Sequence, residues 1–239
     1  MSITRLRPLI LFDIDGTLLK AGDHAHGAAF THAFETLVGR PVTLQGVPLA
    51  GMLDAQIARI LFERHELEVD EALLPEIMAA MGARYRETMG GLTMLENLLP
   101  GVTDAILACG HHDWPAGVLT GNAREVGLAK LQLSGLDVLL PFGAFGDSAT
   151  DRGHLVQAAL ASAQDALGTT FRAQDTVLIG DTPNDIAAAR QAGTKVVAVA
   201  TGRFAVDVLR EHAPDALLPD LSDTQAFVQA VRMAIGQTD

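Results

Sequence analysis

The 239-residue chain has a single cysteine, Cys109, so no disulfide can close within it and the fold must rest on packing. No apolar run approaches the ~20 residues that a helix needs to cross a bilayer. Arg5 and Arg7 ahead of an apolar run faintly resemble a secretion signal, but Asp13 ends that run far short of a signal core. These features imply a cytoplasmic protein. Positive charge is also scarce: 17 Lys and Arg against 29 Asp and Glu leave a net charge of −12. Nucleic acid and anionic membrane surfaces are therefore excluded as partners, and a phosphorylated ligand would need a locally positive pocket. His24, His26, His32 and the pair His111 and His112 have no cysteine or close carboxylate pattern beside them, which argues against a zinc set. No internal repeat or low-complexity segment is present. What remains, 49% hydrophobic and 19% charged, is ample for a core, either as one large domain or as a core with a smaller insertion.

The chain is organised around Leu9 to Leu19, where an apolar run meets Asp13, then Asp15, then Gly16 and Thr17. The pattern reads as a buried strand delivering acids to a loop, with Gly16 marking the turn. Two carboxylates so close repel each other and call for a cation or a shared proton, and a hard, oxygen-seeking ion such as Mg2+ suits them. A calcium loop is excluded by spacing: counting from Asp13, the glycine falls too early and the twelfth position is His24. Taken alone, the stretch would also fit an ordinary Asp-rich turn.

Beyond Thr17 three helices are expected in succession, over 26–38, 53–65 and 70–89, the second with Asp54 near its start and the third with Pro75 in its first turn. From Leu98 the rhythm alternates. Helices are expected from Pro100 to Cys109, Ala123 to Leu133, Arg152 to Leu167 and Asn184 to Ala192. Strands are expected ending at Leu119, over 176–179, over 195–200 and near 216–218, with an apolar stretch from Val138 to Phe145 ahead of the Arg152 helix. Such alternation implies a parallel sheet covered on both faces, with ligands beyond the carboxyl ends of its strands. Asp13, Thr120 and Asp181 all fall at such ends. Individually, Thr120 and Asn122 also fit a strand end and a helix cap, Asp181 and Asp185 fit first-turn acids, and Arg152 fits a surface position.

In order along the chain, Asp13 to Thr17, Thr120 to Asn122, Asp151 and Arg152, and Gly180 to Asp185 resemble the four motifs of the haloacid dehalogenase superfamily of phosphohydrolases. The resemblance implies an α/β fold, a Rossmann-like parallel sheet core with an inserted all-helical cap. The core would comprise 1–20 and 96–239 and the cap 21–95, as in members resembling phosphoglycolate phosphatases. It implies a phosphoric monoester hydrolase acting on a small phosphorylated metabolite, as a monomer or homodimer. Asp13 would be the nucleophile, forming an aspartyl-phosphate, and Asp15 the acid and base. Thr120 and Arg152 would stabilise the transferring group. Gly16, Thr17, Gly121 and Asn122 would contact the substrate phosphate. Mg2+ would be held by Asp13, the backbone carbonyl of Asp15, and Asp181, with Asp185 supporting a ligand instead of binding.

Asp15 and Asp181 argue against the metal-free dehalogenases. The absence of lysine between Ala21 and Pro100 leaves phosphonate cleavage without its amine. A sugar-phosphate mutase shares all four motifs and stays open, as does a phosphate-binding protein without turnover. Within the expected cap, the loop from Gly46 to Asp54 has no basic residue, whereas Arg59, Arg64, Arg84 and Arg86 are candidates to hold an anionic tail or to lie as solvated surface.

Overall fold

The structure, a computed structural model, describes residues 7–237. Arg5, half of the signal-like arginine pair, lies outside the described residues. The apolar run after it is strand β1 (Leu9–Phe12), fully buried at the centre of the sheet.

Each element that follows has a local reason. Helix α1 (His24–Val38) is capped by the Asp23 carboxylate, which accepts from the amides of Ala25 and His26, and it ends at Gly39 in the left-handed conformation. Helix α2 (Asp54–Arg64) and helix α3 (Leu74–Met89) follow, the latter with proline in its first turn as expected. Then come α4 (Val102–His111), β2 (Ala116–Leu119), α5 (Arg124–Ser134), β3 (Gly143–Ala144) and α6 (Arg152–Leu167). The remainder is β4 (Thr176–Gly180), α7 (Pro183–Ala192), β5 (Lys195–Val199), the short α8 (Val206–Glu211), β6 (Ala216–Leu218) and α9 (Thr224–Ala234). Most expected boundaries hold within a residue or two, although α3 starts later than the expected Asp70. Of the apolar stretch from Val138 to Phe145 only β3 pairs as a strand, because Leu136 and Leu140 turn inward within a chain reversal ahead of Pro141.

The six strands are all parallel, in the order β3-β2-β1-β4-β5-β6. Alternation along β1 sorts its side chains. Ile10 and Phe12 join Val118, Ile179 and Val197 in one apolar layer under α4 and α9, where Phe12 stacks on Phe227. Leu9 and Leu11 join Leu178, Val196 and Ala198 in the opposite layer, under α6 and α7. Hydrophobic burial on both faces fixes the strand ends in space.

Helices α1, α2 and α3 form a third apolar cluster with Phe30, Phe34, Phe62, Ile77 and Met81 at its centre. Ala123, Val126 and Ala129, at the start and along one face of α5, belong to this same cluster, so the three helices share a core helix as their floor. Among the described residues no helix is long and apolar enough to cross a membrane.

Candidate active site

Three strand ends deliver the chemistry. Asp13 follows β1, Thr120 follows β2 and Asp181 follows β4, with β1 lying between β2 and β4 in the sheet. The Asp13 amide donates to the Ile179 carbonyl (2.9 Å), so the acid is tied to the neighbouring strand. Past Asp15 the chain turns on Gly16, whose φ of 91° suits glycine and whose Cα packs so closely on the Asp181 carboxylate that a Cβ would collide with it. The Thr17 hydroxyl donates to the Asp181 carboxylate at 3.3 Å.

Asp13, Asp181 and Asp185 are all buried, and an oxygen of each lies within 4.8 Å of the others. Burial is the main force raising the Asp13 carboxyl, to about 7; Arg152 opposes the rise, and Asp185 and Asp15 add to it. Burial likewise raises Asp181, to about 8, reinforced by Asp185 and Asp13. An array of hard oxygens that resists holding all its negative charge could hold a divalent cation, and the residues present fit one.

Arg152 opens α6 and reaches back over this cluster. Its guanidinium pairs with Asp185 and lies 3.5 Å from Asp13. Burial would lower its pKa, but Asp185, Asp13 and Asp181 together raise it, so the charge is fixed. Its Nε is buried without a hydrogen-bond partner. Asp185 is occupied on both sides: one oxygen takes Arg152, and the other accepts from the amide and hydroxyl of Thr182 in the capping box of α7. Asp151, beside Arg152, turns away and caps α6 at the His154 amide.

Asp15 belongs to a separate network centred on Lys130. Lys130 is fully buried on α5. Its ammonium donates to both oxygens of Asp15 (2.8 and 2.7 Å) and to Asn122 Oδ1 (2.9 Å), and it lies 3.4 Å from His26 Nδ1. A lysine can only donate, so Nδ1 accepts and the ring hydrogen on Nε2 points to Asp54 Oδ2, 3.0 Å away. Asp54, expected as a first-turn acid, is in fact buried and also accepts from the Ala123 amide (2.7 Å). Asn122 does not cap α5; its amide nitrogen donates to Asp15 (2.8 Å) and to Thr120 Oγ1 (2.6 Å). Asp23 completes the network, 3.7 Å from Lys130 and accepting from the Tyr85 hydroxyl at 2.7 Å. Burial pushes the Asp15 carboxyl up, but the charge of Lys130 and the hydrogen bonds from Lys130 and Asn122 outweigh it and hold the group below its usual value.

These side chains line one cavity of about 160 Å³. Asp13, Asp15, Thr120, Gly121, Asn122, Arg152 and Asp181 all reach it; Gly16 and Thr17 sit behind, against Asp181. The loop over residues 49–54 closes the opposite side. The Asp54 amide donates to the Gly121 carbonyl (2.9 Å), and Asn184 donates to the Ala50 carbonyl (2.9 Å). His26 lines the cavity, whereas His24 lies outside it.

The family model described as haloacid dehalogenase-like hydrolase matches residues 10–199. The chain is 28% identical over 224 residues to pyrophosphatase PpaX of Halalkalibacterium halodurans, covering 90% of this chain and 94% of that protein. It is also 28% identical over 231 residues to phosphoglycolate phosphatase of Agrobacterium fabrum, covering 93% and 92%. Among solved structures, β-phosphoglucomutase from Clostridium difficile shares the fold with a TM-score of 0.72 at 14% identity, covering 96% of this chain and 99% of that one. With four motif segments converging on one cavity and the family match spanning most of its length, the chain belongs to the haloacid dehalogenase-like hydrolases.

Proposed function

We propose that this hydrolase is a Mg2+-dependent phosphatase, cleaving a small phosphorylated metabolite through a phosphoryl group carried on Asp13. The observation that supports it most is the placement of Asp13 between two devices. The Asp181 and Asp185 carboxylates with the Arg152 guanidinium stand on one side, and the Lys130-anchored Asp15 on the other. A bound Mg2+, held by Asp13 and Asp181 and backed by Asp185, would neutralise negative charge as the phosphoryl group transfers.

The remaining work falls to the chain's own residues. A carboxylate oxygen of Asp13 attacks phosphorus as the bond to the leaving oxygen breaks. Asp15 gives that oxygen a proton, then takes one from the water that attacks the phosphorylated Asp13, releasing phosphate and restoring both acids. Arg152, which lines the cavity beside Asp13, meets the phosphoryl oxygens with its guanidinium, and the Thr120 hydroxyl stands at the adjacent strand end. The residues over 21–95 act as a cap, closing the cavity through the 49–54 loop. The net charge of −12 and the lack of a membrane-crossing helix among the described residues support a cytoplasmic location.

The test is phosphate release from an aryl phosphate by the purified protein. Activity should vanish on exhaustive chelation and return best with Mg2+. Asp13→Asn should abolish turnover, and trapped phosphate should map to Asp13. Full activity without metal, or phosphate trapped on another residue, would overturn the reading. A strict need for a bisphosphate activator would assign a mutase in its place.

A further inference from the structure

The cavity wall that faces the leaving group is unusual in its charge. Asp15 must abut the leaving oxygen, so the groups around Asp15 form the environment of whatever departs. From the cap these are Asp23, Asp54 and His26, together with apolar Phe30, Leu44 and Met52. Among the described residues no lysine or arginine on that side is free. Lys130 has its donors committed to Asp15, Asn122 and His26. The candidate cap arginines are occupied elsewhere: Arg59 pairs with Glu71 (2.7 Å), Arg64 donates to the carbonyls of Gln45 and Gly46, Arg84 pairs with Glu87 (2.6 Å) and Arg86 with Glu125. None of the four lines the cavity. Arg203 is exposed and does reach it, but it follows Gly202, which packs on the carboxylate of Asp181 instead of that of Asp15.

The charge balance points the same way. Asp13, Asp15, Asp23, Asp54 and Asp181 line the cavity against the cations of Lys130, Arg152 and Arg203. One divalent ion would cancel that excess, leaving the phosphate dianion to be met by hydrogen bonds and nothing for a second anion. A carboxylate or second phosphate on the leaving group would be stripped of water beside Asp15, Asp23 and Asp54 without a partner.

We propose that the substrate is a compact phosphate monoester whose leaving group is neutral or cationic, not one bearing a second negative charge. This rests on the phosphatase reading above and narrows it. It separates this chain from the substrates that the names of its curated relatives denote, pyrophosphate and phosphoglycolate.

Three compounds of nearly equal size isolate the charge: 2-hydroxyethyl phosphate, phosphoethanolamine and 2-phosphoglycolate, with inorganic pyrophosphate added and an aryl phosphate as the control for turnover. With the full chain and Mg2+, kcat/KM for the neutral and cationic esters should exceed that for phosphoglycolate and pyrophosphate by about tenfold or more. Equal or better turnover of either anionic compound would overturn the inference while leaving the phosphatase intact. If no compound turned over, the aryl phosphate included, the phosphatase reading would fail. Calorimetric binding of the three esters to the Mg2+-loaded protein would then still decide: tighter binding of phosphoglycolate overturns the inference, and tighter binding of the hydroxyethyl ester supports it. Leu44→Lys, at a half-buried wall position, should shift the kcat/KM ratio toward phosphoglycolate by about tenfold. The wild-type comparison stands on its own if that variant does not fold.

Discussion

Lys130 occupies the inward stripe of α5, four residues after Val126 and four before Ser134, where an apolar side chain would ordinarily sit. Removing its charge leaves Asp15 and Asn122 with an empty place in the network, although Asp15 is open enough to solvent to relax in part. Lys130→Met should therefore loosen Asp15 and cut kcat/KM by about tenfold or more, and should move the pH–rate profile to higher pH, because the charge that holds the Asp15 carboxyl down is gone. A purely structural lysine would lower the rate without moving the profile, so rates measured across pH separate the cases. Arg152→Ala should lose roughly a hundredfold in kcat/KM at saturating Mg2+, with Arg152→Lys recovering part, because an ammonium keeps the charge but not the paired geometry. Near-normal turnover of the alanine variant would remove Arg152 from the mechanism. Asp13, Asp15, Thr120, Arg152 and Asp181 were legible in the sequence because each sits at a strand end or helix start, marked by local pattern. Lys130 was not, since its partners lie 115 positions away at Asp15 and 104 away at His26. The one local sign was a charged residue on the apolar face of a helix.

At the level of elements, the loop over residues 49–54 is held on the site by two seats, Gly121 and the start of α7. Gly51 makes the second seat possible. Its φ of 68° favours glycine, and a side chain there would strike Thr182 and Asn184, the former being the cap of the helix that carries Asp185. Gly51→Val should lift the loop and raise KM by roughly tenfold, with a smaller change in kcat, as measured on the aryl phosphate. An unchanged KM would show that the loop does not shape the substrate side. The sequence identified the alternation of strands and helices because parallel strands buried on both faces read as apolar runs between amphipathic helices. It left β3 undefined, because two paired residues at the sheet edge lie within an apolar stretch whose other members pack as a turn. The terminal helix α9 was passed over, although Asp223 at its cap and the spacing of Phe227, Ala230, Val231 and Ala234 were signals in plain view.

For the molecule as a whole, the acidic centre links stability to pH and metal. In the metal-free protein Asp13 and Asp181 titrate near 7 and 8, well above the 3.8 usual for an exposed aspartate. The folded state thus holds protons that the unfolded chain would release, and the stability this confers is present in acid and lost as pH rises through about 8. The melting temperature without metal should accordingly fall between about pH 5 and 8. Mg2+, replacing those protons, should raise it more at pH 8 than at pH 6. A Mg2+ effect independent of pH, read by calorimetry, would contradict the burial of these acids at the binding site.

One helix belongs to two layers. Through Ala123, Val126 and Ala129 the floor of the helical insertion is made of α5, while Lys130 on the same helix holds Asp15. The insertion is therefore not a self-contained module that evolution or an engineer can exchange at its two chain crossings. A chimaera carrying residues 21–95 of a relative would meet an α5 floor shaped for this chain's own three helices. Transplanting specificity in this fold means moving a surface of α5 together with the segment that rests on it.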